Sequence, residues 1–476
     1  MGDAALPYIL PMIRNENLRF FKYMNFIAAL RDRRRLAATV KAYPIDATID
    51  LVTACQLKCH YCAVGNQTTH RKVSYIKEDI FTWIANEILD ATFITWFFSA
   101  GEPLLHKDIA DLIGKVKEKE IFSVISTNLS LALSDERIDD LLLCGLGMIS
   151  VSLDGASPET YIKYRRGGQF DLVWKNLGRL IQRKQQLGVT TPFIEWRYLV
   201  FEHNQHELSL AMRMAEDIQV DLFEVFPGCA PDEPQGCDVR RATIPLQEAV
   251  RGAALDKGRL RTQTTLQKNL YGRKEAMSPR GITDSPKCDW HYYGTMIYPD
   301  GALAPCCVAT DEEDDFTHIL YHKSFYDAWN APVFTRTRRG MRDDLPTGTV
   351  CDRCFFPASK HYQFVQKVKG ILRNAPDWTL KILASKPDMF FLPVDYELMA
   401  LEIGAITSGE LAFDFDVEGA IRHISEMKQP GRIDDRFVSE IVGMLKSNRI
   451  HGKADEHLAA HGRLNPLSFD HGLAGG

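Results

Sequence analysis

The chain has 476 residues, 45% apolar and 25% charged, with a net charge of −5. This suffices for one large core plus one or two smaller units, and it gives no electrostatic reason to bind nucleic acid or an anionic membrane. The apolar start, Leu6 to Ile13, carries two prolines and is too short for a signal segment or a membrane span, so a cytoplasmic location is expected. Eleven cysteines in that reducing compartment point to metal binding over disulfides.

Residues 15–40 read as a helix, with Leu18, Phe21, Met24 and Ala28 at steps of three and four. The basic cluster 31–35 reads as its solvated face. Pro44 then leads into a strand at 47–53. Helix-like and strand-like stretches alternate from there: helix 76–89, strand 93–98, helix 108–118, strand 121–126, helix 135–143, strand 147–152. A broken helical region 157–187, strand 193–201, helix 205–217 and strand 221–226 follow. Six mostly apolar strands alternating with helices predict an α/β fold with parallel pairing and right-handed crossovers, as a partial barrel or an open doubly wound sheet. Active sites in both lie at the C-terminal strand ends.

Past Phe226 the alternation stops. A linker runs to about 286 with a helix near 244–255, and a second cysteine-bearing unit covers 287–357. The last stretch, 358–476, holds amphipathic pieces (Phe364, Val368, Ile371, Leu372; Phe437, Ile441, Met444, Leu445) and a Gly/His-rich tail.

Directly after the first strand stands Cys55-Gln-Leu-Lys-Cys59-His-Tyr-Cys62, a C-x3-C-x2-C loop. Three thiolates on one short loop can hold three irons of a 4Fe–4S cube and leave the fourth iron open to a chelating molecule. Structural zinc wants four ligands and usually shows paired knuckles. Strand two runs into Ser99-Ala-Gly-Glu-Pro103, strand three into Ser126-Thr-Asn128 and strand four into Ser152-Leu-Asp-Gly155. Each alone reads equally as turn or cap chemistry. In order on successive strands, with Tyr61 before the third cysteine and Arg165-Arg-Gly-Gly-Gln-Phe170 beyond, the segment 45–226 resembles the radical S-adenosylmethionine (SAM) enzymes. That resemblance implies a partial (β/α)6 TIM-like barrel. Cys55, Cys59 and Cys62 would hold the SAM-binding 4Fe–4S cluster. Tyr61, Ala100, Gly101, Glu102, Ser126, Asn128, Ser152 and Asp154 would line the SAM pocket. The family's GGEP element has Ala100 in place of its first glycine here.

On strand five Glu195 and Arg197 share one face, opposite Trp196 and Tyr198. A charged pair facing the interior needs partners, such as substrate or the SAM carboxylate, whereas an outward face would meet helices. Glu195, Arg197 and Cys229, which with Cys237 follows strand six, are the candidate catalytic residues. Both cysteines also read as inert thiols, and Cys144 as buried in a helix.

Cys288 opens the second unit, followed by Cys306 after the hairpin-like stretch 296–305 and by Cys351-Asp-Arg-Cys354. Four cysteines from two distant pairs bind either a fully ligated 4Fe–4S cluster or zinc. The unit resembles the SPASM extension in its shortened Twitch form, a small α+β domain, and the resemblance implies one auxiliary 4Fe–4S cluster on Cys288, Cys306, Cys351 and Cys354. Cys307 is the spare neighbour that could substitute. The expected organisation is a helical extension 1–44, the barrel 45–226, the linker 227–286, the cluster domain 287–357 and a mainly helical region 358–476.

The family implies reductive cleavage of SAM to a 5′-deoxyadenosyl radical and hydrogen-atom abstraction from substrate, with an electron donor such as flavodoxin or ferredoxin. The cysteine layout of the second unit is similar to that of the aminocyclitol dehydrogenases of aminoglycoside biosynthesis. It implies a two-electron oxidation of a sugar, aminocyclitol or similar small molecule, with the auxiliary cluster as electron acceptor. The alternative is a peptide-modifying SPASM enzyme forming a thioether, a carbon–carbon crosslink or formylglycine. Many of those carry a leader-binding domain, for which the residues before the first strand are too few. A non-catalytic iron–sulfur scaffold would need no SAM pocket.

Overall fold

The computed structural model describes residues 10–228, 239–244, 288–354, 357–392 and 395. Helix α1 (Glu16–Arg34) starts where the Asn15 side chain accepts from the Leu18 amide and stops short of Leu36, whose positive φ cannot continue a helix. Helix and strand then alternate through β1 (Asp46–Ile49), α2 (Glu78–Ile88), β2 (Ile94–Trp96), α3 (Ile109–Gly114), β3 (Phe122–Thr127) and α4 (Asp135–Leu143). The first half-barrel closes with β4 (Met148–Ser152), α5 (Pro158–Tyr164), α6 (Phe170–Leu187), β5 (Phe193–Val200), α7 (Leu208–Ile218) and β6 (Leu222–Pro227). Local chemistry sets the boundaries: Ser134 and Ser157 cap α4 and α5, and Gly188 at positive φ ends α6.

Strands β1 to β6 pair in parallel and in chain order. The sheet is open: β1 and β6 do not meet. Its β1 edge is instead occupied by the second cysteine unit. After α8 (Trp290–Tyr293), strand β7 (Gly294–Ile297) pairs in parallel with β1, and a hairpin adds β8 (Ala302–Ala304) and then β9 (Thr317–His318) antiparallel. Gly301, at φ +96°, makes the hairpin turn. One nine-stranded sheet therefore carries both cysteine groups. Helices α9 (Phe325–Trp329) and α10 (Pro332–Asp343) and a 3-10 turn (Val350–Arg353) complete the unit, and α11 (Pro357–Arg373) and α12 (Asp377–Ser385) follow.

The two faces of the half-barrel differ. Ile149, Val151, Ile194, Trp196 and Phe223 point to the helices, with Trp196 packed on Trp174 of α6 at 5.7 Å. The other face is polar. Ser126, Ser150 and Glu195 form one row across β3, β4 and β5, and Ser152, Arg197 and Glu224 form the next across β4, β5 and β6.

Helix α1 overturns the amphipathic reading. Fourteen of its residues are buried, on all sides, because it is wedged between the sheet's lower edge and α12. Phe20 packs against Trp378 with ring centroids 5.0 Å apart, and the Lys22 ammonium donates to the Leu89 and Thr92 carbonyls just beyond the end of α2. Within the basic cluster Arg33 is fully buried, not solvated: two aspartates, Asp289 and Asp395, neutralise it. Cys144 is half-buried, because it caps the end of α4 instead of lying inside the helix.

Candidate active site

The C-x3-C-x2-C loop is gripped by the strand ends around it. The Glu102 amide donates to Ala54 O at 2.8 Å, and Gly101 lies so close that a Cβ there would stand 1.8 Å from Val52 O. Gly65 closes the loop on itself, since its Cβ would meet the Cys59 amide at 2.6 Å. The Asn128 amide group, past the end of β3, lies 3.6 Å from Cys55 Sγ and accepts from Gln56 Nε2 at 2.8 Å. Tyr61 donates its hydroxyl to Val239 O. Beyond β4, Asp154 pairs with Arg165 at 2.5 Å, and the other end of that guanidinium is 3.9 Å from Cys59 Sγ. The thiols are free; burial pushes Cys55 up to about 12 and raises Cys59 as well, the latter opposed by Arg165. Buried, uncrosslinked thiols beside a cation are a donor set that a thiophilic metal cluster deprotonates and occupies, so these residues fit such a group.

Glu102 is 2% exposed and does structural duty: its carboxylate accepts from the Leu104 amide at 3.0 Å and the Asn128 amide at 2.7 Å. Burial raises its pKa to about 7. Ser99 and Ala100 border it, the Ser99 amide donating to buried Asp50 at 3.0 Å. Ser126 and Ser152 face each other with hydroxyls 3.4 Å apart. The structure thus brings Gly101, Glu102, Asn128 and Asp154 to the cysteine loop through direct contacts or one intervening side chain, with Ser126 and Ser152 one layer below. Cys229 and Cys237 lie outside the described residues, as do the linker helix near 244–255 and the amphipathic group from Phe437 to Leu445.

Beside Ser152 sits a buried charge group. Arg197 pairs with Glu195 at 3.0 Å and with Glu224 at 3.7 Å, both carboxyls being fully buried. Burial works to raise both acids. Arg197 overcomes it at Glu195 and holds that carboxyl below its ordinary range, while burial and the adjacent Glu195 charge push Glu224 well above it. A proton on this pair therefore belongs to Glu224 in preference to Glu195. Glu195 lies within hydrogen-bonding range of Glu224 and Ser150, and Arg197 Nε is buried without a hydrogen-bond partner. Charged groups in that condition are costly. Glu224 escaped the sequence reading because its pairing with Arg197 depends on the β5–β6 register. Arg165 was visible only as part of a family motif.

The cysteines of the second group are likewise uncrosslinked and half-buried. Cys306 acts electrostatically on Cys288 and Cys351, and Cys354 acts on Cys306 and Cys351. Burial raises Cys306 to about 11 and Cys351 to about 12, and it raises Cys288 well above its ordinary value. The donor set again fits a cluster. Cys307 lies alongside and acts on Cys306, and its sulfur accepts from Lys360 Nζ at 3.3 Å.

Residues 49–194 match the radical SAM superfamily, and residues 288–355 match SPASM, an iron-sulfur cluster-binding domain. The chain carries a radical SAM domain and a C-terminal SPASM domain. The two domains of this radical SAM protein call for 4Fe–4S clusters and SAM. It is 25% identical over 264 residues to a probable GTP 3′,8-cyclase of Methanococcus maripaludis, covering 55% of this chain and 85% of that protein. It is 24% identical over 328 residues to a PqqA peptide cyclase of Ruegeria pomeroyi, covering 65% and 80%. Among solved structures it is similar to Streptococcus suis SuiB, at TM-score 0.47 and 15% identity over 63% of this chain and 69% of that one. Among the described residues no helix is long and apolar enough to cross a membrane.

Proposed function

We propose that this radical SAM protein oxidises a small, hydroxyl- and amine-bearing molecule, a sugar or aminocyclitol, by two electrons. The observation that carries the reading is the buried polar cluster of Ser150, Glu195, Arg197 and Glu224, in which the Arg197 Nε donor lacks a partner. These residues offer acceptors and donors within one side chain of each other, and a compact polyol or amino sugar satisfies both kinds at once. Cys55, Cys59 and Cys62 hold the SAM-binding cluster, and Cys288, Cys306, Cys351 and Cys354 hold the auxiliary one. When bound, these groups supply hydrogen-atom abstraction and a site for the departing electron. Gly101, Ser152 and the backbone around Glu102 border the SAM site, and Arg165 presents a cation for a carboxylate beside Cys59. Arg197 orients a substrate hydroxyl, and Glu195, ionised beside it, accepts that hydroxyl's proton, while Glu224 already holds one. The apolar helix-side packing excludes water from this layer. A reductant such as flavodoxin or ferredoxin completes the system.

A second reading, peptide modification, draws on the likeness to PqqA peptide cyclase. The test is anaerobic reconstitution followed by SAM cleavage assays with sugars, aminocyclitols, GTP and peptides. The proposal expects a ketone product in proportion to SAM cleaved with a polyol or aminocyclitol. Coupled turnover with peptides alone would sink it. Cys351→Ala, once circular dichroism and SAM binding show it folded, should cleave SAM without forming oxidised product.

A further inference from the structure

Lys360 on α11 lies beyond the matched SPASM residues, and its side chain turns back into them. It is 5% exposed, its Nζ donates to Cys307 Sγ at 3.3 Å, and it sits 4.2 Å from the centroid of the Trp290 ring. Among the described residues no carboxylate pairs with it. Its near neighbour in α11, Lys367, is also buried but pairs conventionally with Asp46. A buried ammonium needs an anion, and what it reaches is the sulfur of Cys307, the immediate chain neighbour of the ligand Cys306. We infer that Lys360 is the counter-charge of the auxiliary cluster and raises its reduction potential. It acts through Cys307 and the space around Cys306, so it is a positioning residue and not a ligand.

The physics is direct. Reduction adds a negative charge to a cluster in a poorly solvated site, and a fixed cation at short range favours the reduced form. Net charge and hydrogen bonds to sulfur are the levers that set iron–sulfur potentials. A higher potential makes this cluster a better electron acceptor, which is the role the proposed oxidation asks of it. The helix that supplies the charge belongs to the C-terminal region, which gives part of that region a function.

The inference rests on Cys288, Cys306, Cys351 and Cys354 holding a cluster, and the experiment separates the two claims. In the full chain carrying Cys55→Ala, Cys59→Ala and Cys62→Ala, anaerobic reconstitution should load a single 4Fe–4S cluster. Failure to load it overturns the ligand reading. In that background the midpoint potential is read by EPR-monitored titration. Lys360→Met should shift the reduced-to-oxidised ratio at fixed poise at least tenfold toward oxidised, a drop of about 59 mV for one electron. Lys360→Arg should stay near the parent, and Lys367→Met should shift less than Lys360→Met. An unshifted Lys360→Met, or an equal shift in Lys360→Arg or Lys367→Met, overturns the proposal. If Lys360→Met loads no iron, Lys360→Gln replaces it. Loss of iron from both with normal loading of Lys360→Arg is the outcome expected of an obligatory counter-charge. Loss from all three marks a purely structural residue and overturns it.

Discussion

Replacing Arg33 with methionine strands two carboxylates in the interior. The Arg33 guanidinium is fully buried and makes four bonds to acids: Nε to Asp289 at 2.5 Å, Nη1 to Asp395 at 2.7 Å, and Nη2 to each of them at 3.2 and 3.1 Å. It lies 4.1 Å from the Phe364 ring centroid, and His361 completes the group by contacting Asp289 at 2.6 Å. Removing one partner of a buried ion pair costs about 3–5 kcal/mol, because the remaining charges lose their neutralisation and face each other. At about 1.4 kcal/mol per power of ten, local opening becomes roughly 140- to 4,000-fold more frequent. Asp289 directly follows Cys288 and its carbonyl accepts from the Tyr292 amide, so α8 should register the change. Amide hydrogen exchange of α8 in reconstituted protein is the assay, since it reads local opening without needing two-state unfolding. Adding Asp395→Asn to Arg33→Met should recover about one power of ten. Burial alone would raise the Asp289 pKa, but Arg33 and His361 overcome it and hold the acid below its usual range. A depressed acid contributes stability above its unfolded value, near 3.9, and loses it as pH falls through the folded value. The difference between wild type and variant should therefore hold from neutrality to about pH 4 and close below it. An increase in exchange of less than tenfold at pH 7 would refute the reasoning.

Gly101→Ala should weaken SAM binding at least tenfold by equilibrium dialysis while far-UV circular dichroism is unchanged, since the new Cβ cannot stand 1.8 Å from Val52 O and the displacement costs about 1–3 kcal/mol. Glu224→Gln should remove a protonated-carboxyl infrared band present in the wild type at neutral pH. Because the folded pKa of Glu224 is raised, wild-type stability falls relative to the variant as pH climbs from about 4.3, the unfolded value, through the folded one; parallel melting curves across that range would contradict the assignment. Cys306→Ser should lose about four irons per chain while Cys307→Ser keeps them, and the reverse pattern would exchange their roles.

Much of the organisation was readable along the chain because its determinants are short-ranged. The three cysteines of the first loop fall within eight residues, from Cys55 to Cys62. The alternation at Glu195, Trp196, Arg197 and Tyr198 sorts faces by a period of two, and Asp300-Gly301 announces its turn. Six parallel strands followed from repeated strand–helix units, whose crossovers have one favoured hand.

What pairs with what was not readable. Arg33 and Lys360 look solvated by residue type, and they are buried only because distant aspartates and cysteine sulfurs come to meet them. Arg165 reaches Cys59 across 106 residues, and Glu224 reaches Arg197 through a register that no local pattern encodes. The joining of the cluster domain to the barrel through β1 and β7 is likewise a choice among open sheet edges. By itself the sequence determined the elements, the strand faces and the two groups of sulfur donors, since period, turn and cap energies act over a few residues. Only the tertiary structure decided which charges are buried and what neutralises them, because desolvation and ion pairing depend on neighbours supplied by the whole fold.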